Sequence, residues 1–162
     1  MKKFISALVV VVALSGTAQA QDLQKGLDAY AARDYATALL ELTPLAEQGA
    51  AEAQYILGNL YGQGKGVARD HRESSKFYRM AAGQAHGKAQ ASLGSNYWKG
   101  LGVPKDIVVA YMWFTLASAN GNEPGRLGME TLEAHYMSAD EISEARTLMR
   151  TCVSSNYQNC GY

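Results

Sequence analysis

Between residues 51 and 62 the apolar side chains Ala53, Leu57, Leu60 and Tyr61 recur three and four apart, which puts them on one stripe of a helix. Phe77, Tyr78, Ala81 and Ala82 start a similar stripe further on. Carried along the chain, this spacing predicts helices near residues 22–32, 34–48, 51–62, 70–84, 87–98, 106–120, 125–136 and 139–152. Short connections make consecutive helices antiparallel neighbours. The fold class expected is all-α, an α/α solenoid of helical hairpins with about 3.5 to 4 units. In the last pair, Ser138-Ala139-Asp140-Glu141 has the form of a capping box and sets a firm boundary at Met137-Ser138.

The pattern is also periodic. Residues 53–81 laid over 89–117 at a constant offset of 36 pair Ala53/Ala89, Gln54/Gln90, Leu57/Leu93, Gly58/Gly94, Tyr61/Tyr97, Gly64/Gly100, Gly66/Gly102, Val67/Val103, Asp70/Asp106 and Ala81/Ala117. About two identities would arise by chance in such a window. The offset reaches back to Asp34, but Gly26 lies only 32 residues before Gly58, so the first unit is shorter by about four loop residues. Gly58 and Gly94 sit mid-helix, where glycine costs about 1 kcal/mol against alanine. That placement predicts a close approach by the paired helix. The glycines of 62–66 and 98–102 suit positive backbone angles in the connection, and Asp70 and Asp106 stand where a side-chain oxygen caps the second helix.

The first twenty residues depart from this pattern. Met1-Lys2-Lys3, an uncharged apolar stretch from Phe4 to Leu14, and Ala18-Gln19-Ala20 follow the order of a cleaved secretory signal peptide. Cleavage after Ala20 would leave a faintly acidic chain with 13 basic and 15 acidic side chains, which gives no support to nucleic-acid binding. Export leads to a periplasmic or secreted location, where disulfides persist. Cys152 and Cys160 are therefore expected to pair and hold the tail on the last helix. Closing so small a loop is worth roughly 2–3 kcal/mol.

The string Ala-x-x-x-Leu-Gly-x-x-Tyr-x-x-Gly-x-Gly-Val-x-x-Asp, present as Ala53 to Asp70 and as Ala89 to Asp106, resembles the Sel1-like repeat family. Departures are local: Ala85 stands where a glycine is usual, Phe77 where Trp113 keeps the usual Trp, and the first unit is truncated. The resulting organisation is a signal peptide over 1–20, a pair of tetratricopeptide length over 21–50, repeats over 51–86 and 87–122, a capping pair over 123–153, and a disulfide-tethered tail over 154–162. The resemblance implies a non-enzymatic adaptor that binds a protein or peptide partner.

Residue chemistry adds little against that. His71, His86 and His135 lack metal-ligand spacing and look like solvated surface residues; no Gly-x-Ser-x-Gly motif occurs, and the Gly62–Gly66 run lacks phosphate-loop spacing. No metal or cofactor is expected. On the helix face opposite Ala53 and Leu57 lie Glu52, Tyr55, Asn59 and Gly62, matched in the next unit by Lys88, Ala91, Ser95 and Trp98. This is the face that hairpin solenoids turn to their concave side. Glu52, Tyr55, Asn59, Lys88, Ser95 and Trp98 are the candidate partner-binding residues, with Tyr55 and Trp98 as aromatic anchors. Two competing functions remain: an enzyme acting on the cell wall or on β-lactams, and a secreted factor that meets a host protein.

Overall fold

The computed structural model describes residues 20 and 22–161, and the leader-like stretch ahead of Ala20 lies outside them. Eight helices follow one another in the described residues, with no strand: α1 (residues 22–31), α2 (Tyr35–Glu47), α3 (Ala51–Gln63), α4 (His71–Ala82), α5 (Gly87–Lys99), α6 (Ile107–Ala119), α7 (Glu123–His135) and α8 (Ala139–Ser154). α3 packs on α4 and α5 on α6 as antiparallel hairpins, while α2 against α3 and α4 against α5 join one hairpin to the next. The molecule is a helical-repeat solenoid.

The caps follow the period. Asp34 accepts from the Thr37 N–H, Asp70 from those of Arg72 and Glu73, and Asp106 from that of Val109. Each satisfies backbone donors that the first helical turn leaves unpaired, worth about 1 kcal/mol. The capping box at Ser138 is complete: its hydroxyl accepts from the Glu141 N–H while the Glu141 carboxylate accepts from the Ser138 N–H. α7 starts two residues earlier than periodicity predicts. Asn122 caps it through Gly125 N–H, and Pro124 occupies the first turn, where a missing N–H costs nothing.

The mid-helix glycines receive side chains from the partner helix. A Cβ at Gly58 would lie 2.5 Å from the Tyr78 ring and one at Gly94 2.9 Å from the Phe114 ring, while one at Gly26 would strike Leu42. Leu42, Tyr78 and Phe114 are themselves 36 residues apart, so one column of side chains runs along the solenoid under one column of glycines. Buried amides provide a second column. Gln54 donates to the Ala46 carbonyl and accepts from Gln84; Gln90 donates to the Ala82 carbonyl and accepts from Asn120. Each glutamine ties three consecutive helices together with its polar atoms satisfied inside the core.

The last two helices do not repeat the hairpin. α7 packs on α6 and α5, whereas α8 lies across α6. α6 is consequently covered on several sides, and Val109, Ala110, Tyr111, Met112, Trp113, Phe114, Leu116 and Ala117 are all buried. A disulfide joins Cys152 to Cys160, and the returning chain brings Tyr157 towards Gly83 and Gly161 towards Val109 and Leu148.

Candidate partner-binding groove

α3 and α5, the first helices of their hairpins, together with α7 line a concave groove of about 600 Å³. Four of the residues chosen from sequence border it: Tyr55 from α3 and Lys88, Ser95 and Trp98 from α5. Lys88 is exposed, while the other three are half-buried. The lysine ammonium stands 5.9 Å from the centre of the Tyr55 ring, and the Trp98 ring meets Tyr136 edge-on at 5.8 Å.

The remaining two lie elsewhere. Asn59 is buried and accepts a 2.7 Å hydrogen bond from the Tyr78 hydroxyl, because the flank of α3 that carries it faces α4. Glu52 is turned to His86, with 2.8 Å between its carboxylate and Nε2. His86 is not a solvated surface histidine. Its Nδ1 accepts from the Ala89 N–H and caps α5, so the Nε2–H is the donor and the Glu52 carboxylate the acceptor of the hydrogen bond between them. The imidazole also lies 5.1 Å from the Tyr55 ring, so Glu52 holds the cap that holds the groove edge.

The groove has a floor and a far wall that the sequence reading did not include. Phe114 from α6 forms the base, and Asn122, Pro124 and Gly128 from α7 close the opposite side. Phe114 lies on the Tyr78 column and Gly128 lies 36 residues after Ser92, so the period itself held the signal. Beneath the neighbouring step, burial pushes the Tyr78 hydroxyl up to about 12, which keeps it protonated as the donor to Asn59. Among the described residues no group of three His, Cys, Asp or Glu side chains converges as a metal-ligand set.

Stacked helical hairpins with a concave face formed by their first helices define a repeat scaffold whose surface, rather than an enclosed cavity, is available for interaction. Residues 51–86 and 87–122 match the Sel1 repeat family, so the chain carries two consecutive Sel1 repeats. Such repeats are generally protein-interaction modules. Solved structures agree. The protective antigen c5321 of uropathogenic Escherichia coli, which displays the SLR fold, superposes with a TM-score of 0.79 at 28% identity over 86% of this chain. A Sel1 repeat protein from Oxalobacter formigenes gives 0.68 at 27% identity, also over 86% of this chain. The chain spans 31% and 59% of those two proteins. No curated protein matches it.

Proposed function

We propose that the protein is an exported adaptor that binds a peptide segment of a protein partner along the groove between α3, α5 and α7. The observation that carries this reading is the groove itself: an open, largely apolar channel bordered by Tyr55 and Trp98, amphipathic rings of the kind that anchor protein contacts. Two further features support export. Cys152 and Cys160 form a disulfide, which persists in oxidising compartments, and residues 1–20 have the order of a signal peptide. Among the described residues no helix is long and apolar enough to cross a membrane.

A photo-crosslinking side chain at Ser95, used in the native cell, tests the groove. It is expected to capture a defined partner, and Trp98→Ala is expected to abolish the adduct while leaving the helical circular dichroism unchanged. Equal capture from an exposed position on the opposite side, such as Lys76, would overturn the assignment. Cell fractionation, with sequencing of the mature N-terminus, separates periplasm from medium and is expected to find Gln21 first. The protective antigen named above gives a second reading some weight, a secreted factor that meets a host protein. Recovery from the culture medium would favour it.

A further inference from the structure

Each step of the solenoid places an aromatic or aliphatic side chain of the second helix beneath two positions on first helices. At the first step Leu42 lies under Gly26, and the 36-residue register assigns Ile56 to the second position. At the next, Tyr78 lies under Gly58, with Ser92 at the second position. At the third, Phe114 lies under Gly94 and Gly128: added Cβ atoms would come within 2.9 and 2.8 Å of its ring. Only there are both positions without a side chain. The ring fills the space that side chains at those two positions would take; it is 4% exposed and, with Gly128, forms part of the base of the groove.

The charge along the groove is uneven. Among the described residues that line it, Lys88 is the only charged one, and the nearby Glu52 carboxylate is already engaged by His86. Lys88 precedes Gly94 by six residues, about 9 Å along the helix axis. An extended chain advances about 3.3 Å per residue, so that distance corresponds to two or three residues.

We propose that the stretch of groove over Phe114 and Gly128 takes a bulky apolar side chain of an extended peptide, and that a carboxylate two or three residues away along the same peptide pairs with Lys88. This rests on the groove being the partner-binding face. It adds the partner's chemistry and the direction in which it lies, with its acidic end at the N-terminal ends of α5 and α7, where the helix dipoles also favour negative charge.

The test is a phage-displayed random heptapeptide library selected against the full chain. Enriched peptides are expected to carry Phe, Trp, Leu or Met two or three residues from Asp or Glu. Ser95→Phe, which narrows the groove over Phe114 from α5, is expected to weaken an enriched peptide at least tenfold. Trp98→Ala, which removes part of the groove wall, serves if that variant fails to fold. Lys88→Glu is expected to weaken the acidic peptides tenfold and, on reselection, to enrich Lys or Arg at the same spacing. Apolar peptides that respond to Ser95→Phe but ignore Lys88→Glu would overturn the charge pairing and leave the groove assignment standing. Peptides indifferent to Ser95→Phe and Trp98→Ala, or no enrichment at all, would overturn both.

Discussion

α4 and α6 occupy the same place in their repeats and differ in almost every property that burial controls. α4 keeps Ser74, Ser75, Tyr78, Ala81 and Ala82 inside and leaves Arg72, Lys76 and Met80 exposed. At the matching positions of α6, Ser74 becomes Ala110, Ser75 becomes Tyr111, Lys76 becomes Met112 and Phe77 becomes Trp113, and the four α6 residues are buried. A helix that is apolar on all sides needs cover on all sides. α5, α7 and α8 supply it. The repeat framework therefore fixes which residues face the preceding helix, while the outward-facing residues report what, if anything, lies on top.

The sharpest way to break this comparison is truncation of the two matching aromatics. Trp113 is fully buried, whereas Phe77 is half-buried and stacked on Tyr61 at 5.6 Å. Trp113→Ala is expected to cost about 3–5 kcal/mol in urea unfolding. Phe77→Ala is expected to cost about 1 kcal/mol, in keeping with partial burial. Equal losses would mean that the cover over α6 contributes nothing.

A smaller effect separates Tyr78 from its counterpart Phe114. The hydroxyl of Tyr78 is raised to about 12 by burial, so the folded chain holds that proton more tightly than the unfolded chain, where tyrosine titrates near 10. Its contribution is whole below pH 10 and is lost as pH climbs from 10 towards 12, on the order of 2 kcal/mol. Tyr78→Phe is expected to remove that part of the alkaline destabilisation, measured as the difference in unfolding free energy between pH 9 and pH 11.5. An unchanged difference would place the proton's energetics elsewhere.

The smallest effect concerns the turn after the second helix. Gly49, Ala85 and Gly121 occupy the same register, and all three have positive φ, with 59° at Ala85. An alanine there crowds its own backbone, and Ala85→Gly is expected to stabilise the fold by about 1 kcal/mol. Gly121→Ala is expected to cost a similar amount, because a Cβ at that site meets nothing within 4 Å and only the backbone term remains. Thermal melts of the two variants check both signs.

These contrasts show which parts of the molecule could be read along the chain. Hairpins, aspartate caps and mid-helix glycines were legible because each depends on neighbours at a fixed offset. The place of α8 was not, since the capping box at Ser138 marks where a helix begins and says nothing about what it lies on. The unbroken apolar run from Ile107 to Phe114 was the available sign that α6 would be covered all round. At the groove, a stripe on α3 and α5 found Tyr55, Lys88, Ser95 and Trp98. It placed Asn59 on the open side because helical spacing alone does not say how far round the helix the neighbouring α4 reaches. The floor was missed because Phe114 belongs to the outer layer, and it reaches the groove only because its ring packs against Gly94 and Gly128, which carry no side chain.

That column makes the floor of the groove an adjustable part of the scaffold. Ile56, Ser92 and Gly128 set how much side-chain bulk stands over the underlying Leu42, Tyr78 and Phe114, without altering the helices that frame it. Exchange of serine for glycine at position 92 would remove that bulk one repeat along, over a phenol in place of a phenyl ring. Proteins assembled from the same 36-residue units can in this way differ in what they hold by one residue per unit, while the frame that keeps them folded stays the same.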